Sequence, residues 1–225
     1  MFDLSDFAKM TNSDSEDEDN KKENITTEVE QVFEEKLIKV HGETIKIREF
    51  AYSNTNAGVI WPSTYTLIDY LLAHQDKFKN KKIIELGSAT GVLSIFLNKK
   101  GYDVTSSDYN ADEITENINF NKYLNNIEFK HIPHTWGDTF KEEDKDFDIV
   151  IASDILLYVQ YFEKLMITLN QLMDNKKDSF MLMAYGRKLY ESKKFFVLLT
   201  ENGFEYELVG SKTWIIKKKS QKPVE

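Results

Sequence analysis

The middle of the chain alternates short apolar runs with segments of helical pattern, and this alternation constrains the fold more than any other feature. An apolar run at Lys82–Leu86 leads into a glycine-bearing turn over 87–91, and a helical segment follows over 92–100. The next strand is predicted over 102–106 and ends at Asp108. Strands that alternate with helices form parallel sheets, because parallel neighbours need a long crossover connection. The sequence therefore predicts an α/β fold with a largely parallel sheet.

The alternation continues towards both ends of the chain. Further strands are predicted at 127–132, 147–152 and 179–184, and further helices at 162–173 and 190–202. Two other helices are expected to start near Ser63 and Asn110. Ser63 is a candidate N-cap, and Asn110 with Glu113 three residues on resembles a capping box.

Two hairpins frame this region. The strands 204–208 and 214–216 are separated by only a few residues, so they must be antiparallel to each other. Near the other end, β-rich runs over 32–40 and 44–50 are joined at His41-Gly42 and predict an N-terminal hairpin.

The first 30 residues differ in composition from the rest. They hold ten acidic residues and three lysines, and therefore carry −7 of the chain's net charge of −9. Residues 13–23 contain no apolar side chain, so burial cannot offset the entropy of ordering them. We predict an acidic disordered tail over 1–30, a domain over 31–219 that includes the hairpin over 32–50, and a C-terminal tail over 220–225. The tail's function is open between solubility and the binding of a regulator or partner.

Composition excludes several classes of protein. Cysteine is absent, which excludes disulfide scaffolds, zinc ribbons and cysteine nucleophiles. There is no apolar run of about 18 residues and no signal-peptide pattern, so we expect no membrane partner. The negative net charge argues against a nucleic-acid partner. We expect a cytoplasmic protein, with the nucleus as an alternative.

Ligands of parallel sheets bind beyond the carboxyl ends of the strands, so the strand ends carry the candidate site. Gly87 and Gly91 allow a tight turn and a close approach of a ligand, and the following helix offers free amide donors. Asp108 ends the second strand, 21 residues after Gly87, where an acid accepts the hydroxyls of an adenosine ribose. An ordinary turn and a helix cap are the structural alternatives. Together the two features predict an adenosyl cofactor.

The turn does not match a nicotinamide site. The three glycine positions of the dinucleotide motif are occupied by Gly87, Ala89 and Val92. Glu85 lies in the strand just before the turn, where an anion would repel a pyrophosphate but suits a cationic amino-acid group. The sequence therefore favours an adenosyl cofactor that carries an amino acid.

These residues resemble motifs of a known family. Glu85-Leu86-Gly87 with Gly91 and Asp108 is similar to motifs I and II of class I, seven-strand S-adenosylmethionine-dependent methyltransferases. The chain more specifically resembles methyltransferase family 16, which contains the seven-strand protein lysine methyltransferases. Three further segments carry this resemblance, at 59–63, 135–137 and 147–158. The sequence departs from the pattern in having Ala89 in place of the middle glycine and one extra residue between Asp154 and Tyr158.

The resemblance implies a Rossmann-like seven-strand sheet with an antiparallel final hairpin and helices on both faces, preceded by the N-terminal hairpin. It implies S-adenosyl-L-methionine as cofactor and a protein substrate, with lysine favoured over arginine as acceptor, and we expect a monomer. The implied cofactor-binding residues are Trp61, Glu85, Gly87, Ser88, Ala89, Gly91, Asp108, Trp136 and Ala152. The implied catalytic residues are Asp154 and Tyr158, with Tyr158 placed on a helix after the fourth strand. No metal site is expected.

Alternatives remain at this stage. The two tryptophans and Tyr158 could pack in the core, and Asp154 could be the N-cap of the following helix. A small-molecule N-methyltransferase and a non-catalytic protein with the same fold are the main alternative functions. A nicotinamide-dependent reductase is a further alternative. Residues 152–155 lack the Asn-Pro-Pro-Tyr type of tetrapeptide that holds a flipped base, which disfavours a nucleic-acid methyltransferase.

Overall fold

The computed structural model describes residues 32–50, 56–174, 176–186 and 191–219. The strands are β1 (Phe33–Val40), β2 (Glu43–Phe50), β3 (Lys82–Leu86), β4 (Asp103–Asp108), β5 (Lys130–Pro133), β6 (Ile149–Ser153), β7 (Phe180–Ala184), β8 (Phe204–Gly210) and β9 (Thr213–Lys218). The helices are α1 (Ser63–Ala73), α2 (Val92–Lys99), α3 (Asp112–Leu124), α4 (Phe162–Met173) and α5 (Ser192–Glu201). The tails predicted over 1–30 and 220–225 lie outside the described residues.

A seven-stranded sheet organises the fold, with the strand order β5-β4-β3-β6-β7-β9-β8. The strands from β3 to β7 are parallel, and β9 is antiparallel to both β7 and β8. The predicted fold class is therefore confirmed. The chain leaves β3 towards β4 on one side and leaves β6 towards β7 on the other, so the order reverses between β3 and β6. Ligands of such sheets bind at this switch point, beyond the carboxyl ends of the strands.

Each face of the sheet carries its own apolar core, because consecutive side chains of a strand point to opposite faces. In β3, Ile83 packs with buried side chains of α1, α2, α3 and the hairpin, whereas Ile84 and Leu86 pack with those of α4 and α5. Helices therefore cover both faces, as predicted. Over the described ranges, no helix is both long enough and apolar enough to cross a membrane.

The N-terminal hairpin forms as predicted, with β1 and β2 joined by a turn at His41 and Gly42. Both turn residues have positive φ, at 44° and 81°. Ile45 and Ile47 are fully buried in the core that contains α1, α2 and α3. The alternation of apolar and polar side chains in β2 therefore identifies correctly the face that packs on the domain.

Side-chain amides of α3 occupy the edge of β2 that does not pair with β1. The backbone N–H groups of Lys46 and Arg48 donate to Asn125 Oδ1 at 3.1 Å and to Asn121 Oδ1 at 2.7 Å. Their carbonyl oxygens accept from the same two amides at 2.6 and 3.2 Å. These asparagines therefore bond to the edge as a neighbouring strand would, and they satisfy its backbone polar groups.

The two predicted helix caps are not formed. The N-cap of α1 is Pro62, and Ser63 is already the first helical residue. The N-cap of α3 is Ala111, whose backbone is extended, so Asn110 lies one residue too early to reach the first free amides. Neither N-cap residue makes a side-chain capping bond. Both predictions were wrong because a position one residue away from the N-cap presents its side chain elsewhere.

Candidate active site

The turn over 87–91 follows β3 at the carboxyl edge of the sheet. Gly87 and Gly91 have φ values of 70° and 78°. A Cβ atom at Gly87 would lie 2.9 Å from Ile155 Cγ2, so the position needs glycine for conformation and for space. The turn therefore brings its backbone close to the segment that follows β6.

A small cavity of about 10 Å³ lies beside this turn. Its walls come from the turn, the start of α2, the segment before α1, α1 itself and the end of β6. The lining residues are Val59, Ile60, Trp61, Thr64, Gly87, Ser88, Ala89, Thr90, Val92, Leu93 and Ser153. Ser88 is buried, and its Oγ atom has no hydrogen-bond partner. A buried hydroxyl without a partner costs about 1–3 kcal/mol, so this atom suits a polar ligand group.

Asp108 ends β4 and reaches the same turn. Its Oδ2 atom accepts from the Ala89 N–H at 2.6 Å, and its Oδ1 atom accepts from the Tyr109 N–H at 2.7 Å. Burial raises the pKa of Asp108 to about 6, although both backbone bonds act in the opposite direction. The structure thus brings the turn and this carboxylate together, and the ribose role of Asp108 stays a prediction.

Glu85 lies two residues before the turn, and its carboxylate points to α2. Its Oε2 atom accepts from the backbone N–H of Ser94 at 3.1 Å and from Ser94 Oγ at 2.5 Å. Burial raises the pKa of Glu85 to about 8; the bonds from Ser94 oppose this rise and the charge of Asp108 adds to it. Glu85 is not a wall of the cavity, so a contact with a ligand ammonium stays a prediction.

Of the other predicted cofactor residues Trp61, Trp136 and Ala152, only Trp61 lines the cavity. Trp61 lines the cavity, and its Nε1 donates to the Asn56 carbonyl at 3.1 Å. Trp136 is half-buried against the core that contains α4 and α5, outside the cavity walls. Ala152 is fully buried in that same core, and the next residue, Ser153, lines the cavity instead. The alternation of β6 explains this difference, since consecutive side chains point to opposite faces.

Asp154 follows β6 and is held from two sides. Its Oδ1 atom accepts from Ser63 Oγ at 2.7 Å and from the Gly186 N–H at 2.8 Å, and its Oδ2 atom accepts from the Ser63 N–H at 2.9 Å. The side chain is buried, and the residue has a φ of 52°. Asp154 is therefore not the N-cap of the helix after β6. It bonds to the first residue of α1.

Tyr158 precedes the helical segment instead of lying on it. A 3-10 turn at Val159–Tyr161 follows it, and α4 begins only at Phe162. The placement of Tyr158 on a helix was wrong, because residues 154–158 have no regular structure. The Tyr158 hydroxyl accepts a hydrogen bond from Asn56 Nδ2, and its ring meets that of Tyr161 edge-on at 6.0 Å. Asn56 thereby links Tyr158 to the cavity wall at Trp61.

The two histidines near β5 bond to different elements. His131 Nδ1 pairs with Ser106 Oγ of β4 at 2.8 Å, and the His134 ring stacks on Phe140 with centroids 3.6 Å apart. Among the residues that the structure describes, no three histidine or acidic side chains form a metal-binding group.

Comparison with known proteins decides the family. A family model described as lysine methyltransferase, methyltransferase family 16, matches residues 39–202. The chain belongs to this family. Protein-lysine methyltransferase METTL21E of Mus musculus is 28% identical over 147 residues, which are 60% of this chain and 59% of the mouse protein. EEF1A lysine methyltransferase 3 of Xenopus tropicalis is 28% identical over 169 residues, which are 73% of this chain and 75% of the frog protein.

The alignments cover only part of the related chains. The chain spans only 53–60% of the length of several curated relatives that it matches. Among solved structures, the T. thermophilus 16S rRNA N2 G1207 methyltransferase (RsmC), in complex with AdoMet and guanosine, aligns with a TM-score of 0.61 and 14% identity. That alignment covers 83% of this chain and 51% of the other, and it shows a shared fold.

Sequence reasoning missed several residues of this family member's site. Thr64 and Ser153 line the cavity, and their hydroxyl oxygens lie 3.2 Å apart. Ser63 and Gly186 hold the Asp154 carboxylate. Two signals were available: Ser153 follows a predicted strand at its carboxyl end, and Ser63 ends one of the segments that carry the resemblance. The contact between Ser63 and Asp154 joins residues 91 positions apart, which no local pattern reveals.

Proposed function

We propose that this protein is an S-adenosylmethionine-dependent methyltransferase that methylates lysine side chains of a protein. Family membership supports this proposal, as do the relatives named protein-lysine methyltransferase and EEF1A lysine methyltransferase. One observation carries it. Thr64 and Ser153 meet in the cavity wall, and their chain neighbours Ser63 and Asp154 meet beside it. The cavity wall proposed for the cofactor and the carboxylate proposed for the acceptor are therefore supplied by two dipeptides, Ser63-Thr64 and Ser153-Asp154.

The residues around the cavity suit this cofactor. Ser88 offers a buried hydroxyl without a hydrogen-bond partner, and the backbone at Gly87 lies close to the Ile155 side chain. In our proposal Asp108 accepts the ribose hydroxyls, and Ser88 and the turn backbone hold the methionine part. Glu85 gives up its proton when the ammonium group binds, so that its carboxylate compensates that charge. When bound, the cofactor supplies a methyl group on a sulfonium, which is already activated for transfer.

The acceptor amine must present a lone pair to that methyl group. A lysine side chain has an ordinary pKa of about 10.4, so it is mostly charged at neutral pH. In our proposal Asp154 receives and orients the ammonium group, and the Tyr158 ring gives the slot an apolar side that favours the neutral amine. Alignment of the reacting atoms contributes about 7–11 kcal/mol. Asp154 acts here by positioning, since a carboxylate favours the charged form of the amine.

A labelling experiment tests the proposed function. The purified protein is incubated with S-adenosylmethionine carrying a labelled methyl group and with an extract from cells that lack the protein. We expect label in a protein band, and mass spectrometry of that band should place it on lysine. Asp108→Ala serves as the control, because loss of the proposed ribose contact should weaken cofactor binding and lower the labelling. Label confined to small molecules, or found on arginine, would contradict the proposal.

A further inference from the structure

We propose that Ser63 is the residue that positions Asp154 for the acceptor, an inference that rests on the function proposed above. Ser63 is the first residue of α1 and is buried. It donates to both carboxylate oxygens, from its N–H to Oδ2 at 2.9 Å and from its hydroxyl to Oδ1 at 2.7 Å. These two donors and the Gly186 N–H fix the rotation of the carboxylate, and the Ser63 hydroxyl also fills the second acceptor position on Oδ1.

The backbone of Asp154 is anchored separately. Its N–H donates to the Ala184 carbonyl of β7 at 2.9 Å. The remaining freedom of the residue therefore lies in its side-chain torsions, and these are what the contacts with Ser63 and Gly186 restrict. Ser63 acts on the orientation of the carboxylate and not on the path of the chain.

The hydrogen-bond pattern also selects one oxygen for the acceptor. A carboxylate offers about four lone-pair positions, two on each oxygen. Oδ1 already accepts two bonds, from Ser63 Oγ and from the Gly186 N–H, whereas Oδ2 accepts only the bond from the Ser63 N–H. An incoming ammonium group therefore finds its free position on Oδ2. The hydroxyl of Ser63 helps to create this asymmetry by occupying Oδ1.

Ser63 is also fixed relative to the cavity. The next residue, Thr64, lines the cavity and meets Ser153 there, and Ser153 directly precedes Asp154. Ser63 is covalently linked to Thr64, and Ser153 is covalently linked to Asp154. The distance from the cavity wall to the Asp154 carboxylate therefore cannot change unless the Thr64–Ser153 or the Ser63–Asp154 contact breaks. The geometry needed for an in-line transfer is thereby built into the start of α1.

Kinetics of Ser63→Ala test this role. We expect kcat for methylation of the protein acceptor to fall about tenfold, with the acceptor KM within about threefold of wild type. Cofactor affinity and binding stoichiometry, measured by calorimetry, should stay unchanged, which shows that the sites remain folded. Ser179→Ala is the matched control. It removes another buried serine hydroxyl, which is bonded at 3.4 Å to the Met173 carbonyl. Ser179 precedes β7 in the chain, whereas Gly186, which bonds to Asp154, follows it.

A double-mutant cycle separates positioning from a general structural effect. In an Asp154→Ala background both acceptor oxygens are gone, so Ser63→Ala should change kcat by less than about twofold. An equal tenfold loss in both backgrounds would overturn the inference, as would a selective loss of cofactor affinity. A wild-type enzyme that is active and a Ser63→Ala variant with the same kcat would overturn this inference alone. Cofactor binding without any protein methylation by the wild type would overturn the proposed function as well.

Discussion

At the scale of single residues, Glu85 gives the protein a specific dependence on pH. Burial raises its pKa to about 8 in the folded chain, while a glutamate in an unfolded chain titrates near 4.3. Between these values the folded state keeps a proton that the unfolded state has lost. The contribution of Glu85 to stability is therefore complete below pH about 4 and is lost as the pH rises to about 8, with a slope of at most about 1.4 kcal/mol per pH unit.

The substitution Glu85→Gln should remove this slope. We expect the difference in unfolding free energy between the variant and the wild type to grow in favour of the variant from pH 5 to pH 8. Urea unfolding at several pH values, without cofactor, measures it. Glu205→Gln, at an exposed glutamate of β8, is the control and should leave the slope unchanged. Identical slopes in Glu85→Gln and wild type would show that Glu85 is ionised in the folded protein.

The acceptor residues make a second prediction at this scale. Asp154→Ala and Tyr158→Phe should each lower methyl transfer at least about tenfold, equivalent to 1.4 kcal/mol, with cofactor affinity within a few fold. Asp154→Ala removes the carboxylate beside the cavity wall, and Tyr158→Phe removes the hydroxyl that bonds to Asn56 and orients the ring. Tyr161→Phe is the control, since Tyr161 is 43% exposed and the substitution keeps its ring contact with Tyr158. Normal transfer by both variants would place the acceptor elsewhere.

At the scale of elements, α3 joins the hairpin to the turn beside the cavity. Asn121 is fully buried, bonds to the backbone of Arg48 in β2, and donates to the Thr90 carbonyl at 2.9 Å. Asn121→Ala leaves the half-buried Arg48 N–H and the buried Thr90 carbonyl without this partner, at about 1–3 kcal/mol each, while the Arg48 carbonyl keeps its bond from Asn117. We therefore expect a loss of about 2 kcal/mol or more in unfolding free energy. Denaturant unfolding measures this loss.

Asn125→Ala is the matched control for that substitution. Asn125 makes the same pair of bonds one helical turn further on, to Lys46, but at a more exposed position. Water can replace the lost partner there, and we expect a loss below about 1 kcal/mol. Equal losses for the two asparagines would mean that burial is not what makes the Asn121 contact important.

The elements themselves were largely predictable, since strand alternation, helical period and turn residues are local signals. The approach of Asp108 to the turn that begins at Gly87 followed from the rule that parallel strands bring their carboxyl ends to one edge of the sheet. The N-cap residues of α1 and α3 were not predictable, as the misplaced caps at Ser63 and Asn110 show, whereas α2 and α4 start at Val92 and Phe162 as predicted. The partner of Ser63 is Asp154, and only the folded sheet brings residues so distant in sequence together. The asparagines of α3 did carry a signal, because a spacing of four places them on one face.

At the scale of the whole molecule, the charge is concentrated in the first 30 residues. They carry −7 of the net charge of −9, and residues 13–23 have nothing apolar to bury. Deletion of residues 1–30 should therefore leave the melting temperature and the cofactor affinity nearly unchanged. Thermal unfolding and calorimetry on the shortened chain measure both. A fall of several degrees would show that this segment contributes to the stability of the domain.

The asparagines along β2 have a consequence for self-association. An unpaired strand edge is a template on which another chain can add a strand. In β2 the outward backbone N–H groups of Lys46, Arg48 and Phe50 already donate, to Asn125, Asn121 and the Gly58 carbonyl. At these three positions, side-chain amides and the Gly58 carbonyl occupy the outward N–H groups of β2. A neighbouring molecule therefore finds no free N–H donor at Lys46, Arg48 or Phe50 on which to continue the ladder along this edge.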